Sequence, residues 1–223
     1  MADRGRLSVI VLAGGESTRM GSDKAFLWLS GRTFISAVVS EMLKVSTDVV
    51  VMIGPKEPED YSFLARTGVR VFRDEPYVSN PLGGILAGLG RVAGQFAAVV
   101  ACDVPMVKAG VIEYLFRSIG THSAAVPTWE AGDRSLMEPL CAVYRVDKAR
   151  KGAASALNDR RASVTQMVLR IRDVEYVDVS RLSPFDPTLD SFADIDTPEQ
   201  YRALQERLNS APSAKVRRSA SGR

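Results

Sequence analysis

An α/β fold with a mainly parallel sheet layered between helices is predicted by three features of this sequence. Short apolar, β-branched runs recur at residues 7–12, 48–53, 69–72 and 96–102. Helix-period stretches at 34–43 and 83–92 separate the first run from the second and the third from the fourth. The first run stops abruptly at Gly14-Gly15, as a strand does when it enters a loop. Strands alternating with helices build right-handed βαβ units, and those units make a parallel sheet.

In chain order, the run 7–12 lacks a small-residue cleavage site of its own, so it reads as a strand and not as a secretion signal. Residues 113–118 read as helix and 123–127 as strand. The polar, glycine-containing segment 128–134 then leads to a strand at 140–144. Residues 164–171 read as helix, and 174–179 alternate like a strand. The final helix, 197–208, carries its own start signal: Thr197 as cap, Pro198 at the first helical position and Gln200 completing a capping box.

The chain of 223 residues is the size of one α/β domain with a tail. The domain is assigned to 1–208. Residues 209–223 are rich in Ser, Ala, Lys and Arg and form a disordered basic tail. The longest apolar stretches, such as 97–102, fall far short of the roughly 18 residues that span a bilayer. Cys102 and Cys141 lack zinc or redox spacing, which fits a reduced, cytoplasmic setting, with Cys102 in the core. The net charge of +3 is modest and includes Lys215, Arg217, Arg218 and Arg223 of the tail. Neither a nucleic-acid partner nor a membrane is expected.

The chemistry concentrates in Leu12-Ala13-Gly14-Gly15-Glu16-Ser17-Thr18-Arg19-Met20-Gly21-Ser22-Asp23-Lys24, a glycine-rich loop that follows the first strand and carries two cations. Glycines let backbone N–H groups approach a nucleotide closely, and Arg19 and Lys24 supply charge for its phosphates. The spacing is neither that of a dinucleotide-binding GxGxxG nor that of a GxxxxGK[ST] loop. A glycine pair alone would signal only a strand-to-helix turn. Further on, Asp103 closes the fourth apolar run, at the strand end where open α/β sheets place their ligand crevice. Mg²⁺ commonly takes one or two protein carboxylates and completes its octahedron with phosphate oxygens and water, so Asp103 is the metal candidate. His122, the sole histidine, lies outside every motif and reads as a surface or loop residue.

The loop resembles the LAGGxSxRMGxDK signature of the molybdenum-cofactor guanylyltransferase (MobA-like) family, and the resemblance extends to about residue 208. Arg73-Asp74-Glu75 with Pro81-Leu82-Gly83-Gly84 looks like the family's second nucleotide-contacting segment. Glu138-Pro139-Leu140-Cys141-Ala142-Val143-Tyr144 resembles its strand bordering the acceptor site, and 192–199 its closing motif, with Asp194 and Asp196 where Asn is frequent. Some relatives carry a nucleotide-contacting Asn after the second strand; this sequence reads Val51-Met52-Ile53-Gly54 there.

The resemblance implies a three-layer αβα, Rossmann-like nucleotidyltransferase fold with a mainly parallel, mixed sheet. It implies nucleotide binding by Leu12, Ala13, Gly14, Gly15, Lys24, Asp74 and Asp103, catalysis by Lys24, Arg19 and Asp103, and Mg²⁺ held by Asp103 with Asp194 or Asp196 able to approach it. GTP and molybdopterin or its molybdenum-loaded form are the implied substrates, and a molybdoenzyme or cofactor chaperone the implied protein partner. Gly14-Gly15 favours the guanylyl branch, since cytidylyl relatives tend to carry Ala-Gly there. A related transferase using CTP or a sugar or alcohol phosphate, and a non-catalytic nucleotide-binding protein, are the alternatives.

Overall fold

The computed structural model describes residues 7–15, 23–74, 80–132 and 134–210. The chain runs β1 (Leu7–Leu12), a small hairpin of β2 (Trp28–Leu29) and β3 (Arg32–Thr33), α1 (Phe34–Val45), β4 (Val49–Met52), β5 (Arg70–Phe72), α2 (Pro81–Leu89) and β6 (Phe96–Ala101). It continues through α3 (Ala109–Ser118), β7 (Ala124–Ala131), β8 (Arg134–Met137), β9 (Cys141–Arg145), α4 (Val146–Leu157), α5 (Val164–Arg170), β10 (Val174–Asp178) and α6 (Pro198–Ser210).

The most apolar runs take the middle of the sheet, whose order is β10-β7-β9-β6-β1-β4-β5, with β8 paired to β7 alone. Strand β1 pairs in parallel with β6, from Leu7 opposite Phe96 to Leu12 opposite Ala101, and with β4 on its other side. Strand β9 runs antiparallel between β6 and β7, which makes the sheet mixed. Side chains alternate across it. Val9, Val11, Val49, Val51, Ala98 and Val100 pack with Ile35, Val38, Met42, Val111 and Leu115 of α1 and α3. On the opposite face Ile10, Val50, Met52, Ala97 and Val99 pack with α2, α4 and α5. Strands buried on both faces read as unbroken apolar runs, and this is why the central ones were legible.

Helix α4, the segment 128–134 and the end of helix α6 are among the elements that depart from the sequence expectation. Helix α4 carries no large apolar stripe: its buried face is Ala149, Gly152, Ala153 and Ala156, and such small residues give little periodic signal. The segment 128–134 is not a plain loop. Strand β7 continues to Ala131, turns at Gly132 with φ of 60°, and returns as β8. This hairpin projects beyond the paired part of the sheet, with Leu136 exposed, so its residues need no apolar alternation. Helix α6 runs two residues past Leu208, to Ser210, and the rest of the expected tail lies outside the described residues. Its start follows the capping box: the Gln200 amide accepts from Thr197 N–H at 2.9 Å, and Gln200 N–H donates to the Thr197 hydroxyl at 3.3 Å.

The end of the sheet opposite the crevice is held by Asp48. The buried Ser8 hydroxyl donates to its Oδ2 at 2.5 Å, Ala93 N–H donates to the same oxygen at 2.8 Å, and Arg70 donates to Oδ1 at 2.5 Å. Ser8 in turn accepts from Gly94 N–H at 2.8 Å. One carboxylate thus joins β1, β4, β5 and the segment entering β6. Burial pushes the Asp48 carboxyl upward in pKa, and the donors from Ser8, Ala93 and Arg70 more than reverse this, holding it below the ordinary aspartate value. Asp48→Ala leaves the buried Ser8 hydroxyl without its acceptor and is expected to cost about 1–3 kcal/mol in urea denaturation. The depressed folded-state pKa means that ionised Asp48 stabilises the fold above the unfolded pKa, and that this is lost as pH falls through the folded value. The stability gap between the unmodified protein and Asp48→Asn should therefore be constant above about pH 5 and shrink as pH falls below about pH 4.

Candidate active site

From β1 the chain moves to β4 and β5 on one side and later to β6 on the other, so the strand order reverses between β1 and β6. A crevice opens at the carboxyl ends of strands at such a point. Residues 13–15 follow β1, Gly54 to Lys56 follow β4, Asp74 follows β5 and Asp103 follows β6, all at that edge.

The loops after β1 and β4 cross backbone on backbone. Leu12 accepts from Cys102 N–H at 2.9 Å, and Ala13, itself buried, donates its N–H to the Met52 carbonyl at 2.7 Å. Gly54 then takes a left-handed φ of +65°. A Cβ on Gly14 would lie 2.8 Å from the Gly54 nitrogen, and one on Gly54 would lie 2.9 Å from the Gly14 carbonyl oxygen. Neither position tolerates a side chain without moving backbone. Gly15 differs: it is exposed, and no described atom lies within 4 Å of where its Cβ would stand. The two glycines therefore differ: the first is packed against backbone, and the second has no described atom crowding it.

Lys24 opens a 3-10 turn whose cap, Asp23, accepts from Ala25 N–H at 3.0 Å. Its ammonium donates to Asp196 and lies 3.7 Å from Asp103 Oδ2. The closing segment is drawn in by backbone too, because Ile195 N–H donates to the Asp103 carbonyl at 2.9 Å. Negative charge crowds here. Burial raises the Asp103 pKa, Lys24 opposes the rise, and Asp196 and Asp194 add to it. Asp194 is raised by burial and by Asp196, and Glu138 by burial and then by Asp194 and Asp103.

Asp74 anchors the other side. Its N–H donates to the Gly54 carbonyl at 3.2 Å, and its carboxylate approaches α2 so closely that a Cβ on Gly84 would stand 2.8 Å from Oδ2. Oδ1 is buried without a hydrogen-bond partner among the described residues, and burial raises the Asp74 pKa against the pull of Lys56. The segment from Pro81 is the first turn of α2, capped by the Asn80 side chain accepting from Gly83 N–H at 3.2 Å.

Sequence reasoning missed Lys56 and Tyr61. Lys56 donates to the Ala13 carbonyl at 2.6 Å and pairs with Asp23 at 2.7 Å, while the Tyr61 hydroxyl donates to Asp23 at 3.2 Å. The available signal was a turn, Gly54-Pro55-Lys56, placed directly after an apolar strand. Arg19 and its neighbours in 16–22 lie outside the described residues, as do 75–79. His122 pairs with Asp173 at 2.6 Å at the opposite edge of the sheet, before β7. Cys102 is buried and its thiol is pushed up to about 12, and Cys141 is buried and pushed up as well, so neither offers a thiolate.

Among the described residues no group of three or more His, Cys, Asp and Glu side chains forms a metal cage. What the site offers is one or two hard carboxylate oxygens beside a lysine, a set that suits a cation whose remaining ligands come from phosphate and water. Exchange of either loop glycine for alanine separates their roles. Gly14→Ala should lose about 1–3 kcal/mol and several degrees of melting temperature, whereas Gly15→Ala should stay within about 0.5 kcal/mol of the parent in the same thermal scan.

The MobA-like NTP transferase domain family matches residues 9–174. A protein named "Probable molybdenum cofactor guanylyltransferase" from Methanosarcina acetivorans is 34% identical over 203 residues, covering 88% of this chain and 89% of its own. A molybdenum cofactor guanylyltransferase from Desulfosudis oleivorans is 34% identical over 199 residues, covering 88% and 93%. The crystal structure of molybdopterin-guanine dinucleotide biosynthesis protein A from Archaeoglobus fulgidus superposes with a TM-score of 0.75 at 26% identity, over 91% of this chain and 98% of that one. A 4-diphosphocytidyl-2C-methyl-D-erythritol synthase from Anaerococcus prevotii shares the fold, with a TM-score of 0.70 at 10% identity.

Proposed function

The chain belongs to the MobA-like NTP transferase family, and on that premise we propose that it is a cytoplasmic molybdenum cofactor guanylyltransferase. It transfers GMP from Mg²⁺·GTP to the terminal phosphate of molybdopterin or its molybdenum-loaded form, releasing pyrophosphate and producing the guanine dinucleotide form of the cofactor. The observation that carries this reading is the meeting of Lys24 with Asp103 and Asp196 at the crevice beside the Gly14–Gly54 backbone contact.

A pterin phosphate oxygen attacks the α-phosphorus of GTP, the bond from that phosphorus to the bridging β-phosphate oxygen breaks, and pyrophosphate leaves with its electrons. The nucleophile is ionised at neutral pH, since the second pKa of a phosphate monoester is about 6, so no general base is needed. This agrees with a crevice whose described residues include carboxylates and a lysine and no histidine. Lys24, released from Asp196 by the competing phosphates, neutralises charge on the triphosphate and on the departing pyrophosphate, and Arg19 joins it from the signature. Asp103, with Asp196 or Asp194 beside it, would hold Mg²⁺; the crowding that raises the Asp103 and Asp194 pKa values is the kind a divalent cation relieves. A divalent cation bound there would supply Lewis-acid charge to offset the negative charge that develops on the triphosphate.

Asp74 Oδ1 is a buried acceptor suited to guanine's N1 and N2 donors or to a ribose hydroxyl. Adenine and cytosine present different patterns and would leave buried groups unpaired. The free cysteines Cys102 and Cys141 support the reduced, cytoplasmic setting.

With Mg²⁺ and molybdopterin, pyrophosphate release is expected to be fastest with GTP. Asp103→Asn should keep the far-UV spectrum and lose about 10² or more in turnover, and Lys24→Ala should raise KM for GTP and lower kcat by about 10²–10³. Equal or faster turnover with CTP would defeat the guanylyl assignment and leave the transferase. Absence of turnover with every nucleotide and pterin acceptor would favour a different acceptor or a binding protein.

A further inference from the structure

The signature loop leaves the sheet at Ala13 and returns at Asp23, one residue before Lys24. Both ends meet the same ammonium group. Lys56 Nζ lies 2.6 Å from the Ala13 carbonyl oxygen and 2.7 Å from Asp23 Oδ2, and its side chain is only 21% exposed. We propose that Lys56 is a positioning residue that closes the neck of the glycine-rich loop and thereby sets the affinity of the crevice for a nucleoside triphosphate. The proposal rests on the transferase reading above.

The surrounding backbone is built to deliver this lysine. Gly54, left-handed and pressed against Gly14, swings the chain under the loop, and the Gly54 carbonyl is held by Asp74 N–H at 3.2 Å. Arg73 fixes the next residues, donating to the Pro55 carbonyl and to the Glu57 carboxylate at 3.0 Å each. The Ala13 carbonyl has left the β ladder, so a charged donor from outside the strand satisfies it. At the far end, Asp23 is engaged on both oxygens. Oδ1 caps the turn that carries Lys24 through Ala25 N–H at 3.0 Å, and Oδ2 takes Lys56 and the Tyr61 hydroxyl at 3.2 Å. Lys56 therefore acts on Lys24 through Asp23. An ammonium has three N–H groups, and two are committed to the two ends of the neck.

Asp23 and the turn that carries Lys24, held in place before nucleotide arrives, have less freedom to lose when a triphosphate binds, so severing the Lys56 bridge raises the ordering cost of binding. The effect falls on the step in which nucleotide is captured. A lysine that touched the phosphates directly would behave differently, because removing the neighbouring Asp23 charge would then strengthen triphosphate binding.

The test is a double-mutant cycle in the full chain: Lys56→Met, Asp23→Asn and both together, with Lys56→Arg as rescue. The dissociation constant of Mg²⁺·GTP is measured by calorimetry and the kinetics with molybdopterin as acceptor. Each single change is expected to weaken GTP binding about tenfold and to raise KM for GTP in parallel, and the double change to be no worse than either by more than about twofold. The KM for molybdopterin should stay constant, kcat at saturating GTP should fall by less than about threefold, and Lys56→Arg should recover most of the affinity. Additive losses, unchanged affinity in Lys56→Met, or tighter GTP binding by Asp23→Asn would overturn the proposal. Should Lys56→Met fail to fold, Asp23→Asn and Lys56→Arg decide it by the same criteria. Should the unmodified protein bind CTP in place of GTP, or bind GTP without transfer to a pterin, the function reading fails by itself, and the cycle run on the bound nucleotide still tests the neck.

Discussion

Two backbones pass within van der Waals contact where the loops after β1 and β4 cross, and much of the crevice is arranged around that contact. Gly14 and Gly54 each occupy the volume a Cβ would need on the other. Because no side chain intervenes, the chain after β4 lies directly beneath the glycine-rich loop, and Lys56 reaches both ends of it. The same turn presents the Gly54 carbonyl to Asp74 and so sets the position of an acidic group across the crevice. A methyl group at either glycine would have to be accommodated by moving backbone that carries these polar contacts, and a close-packed interior has little room for that.

The second organising element is charge. Asp103, Asp194, Asp196 and Glu138 converge from three separate stretches of chain, and Lys24 lies against Asp196 and near Asp103. Burial and mutual repulsion disfavour the ionised carboxylates, which makes the arrangement responsive to cations. One lysine does not balance the carboxylates gathered around it, and the excess negative charge is left in a partly buried place.

The C-terminal segment is part of this architecture. Ile195 packs with Leu29, Phe34 and Leu204 in a small cluster that joins α6 to the β2–β3 hairpin, and the Tyr201 hydroxyl donates to the Trp28 carbonyl at 2.5 Å. Docking α6 there draws residues 194–196 over the end of β6, where Asp196 meets Lys24 from the other end of the chain. The capping box that starts α6 thus has a local cause and a distant consequence.

The alternation of apolar runs with helical stretches, the start of the last helix and the resemblance of the glycine-rich loop to the family signature were all determined by the sequence itself. Each depends on neighbours within a few positions: the β-branched runs of β1, β4 and β6, the Thr197-Pro198-Gln200 signal, and the spacing from Leu12 to Lys24. Helix α4 escaped notice because its buried face is made of small residues, and the β7–β8 hairpin because exposed strands need no alternation. Only the tertiary structure decided that Gly14 packs against Gly54 while no described atom crowds Gly15, that Lys56 bridges Ala13 and Asp23, and that Asp196 joins Asp103 beside Lys24. Those facts concern groups 40 residues apart for Gly14 and Gly54, 43 for Lys56 and Ala13, and 172 for Lys24 and Asp196. No local pattern encodes such pairs, because they come into being only when the sheet order brings the carboxyl ends of its strands together.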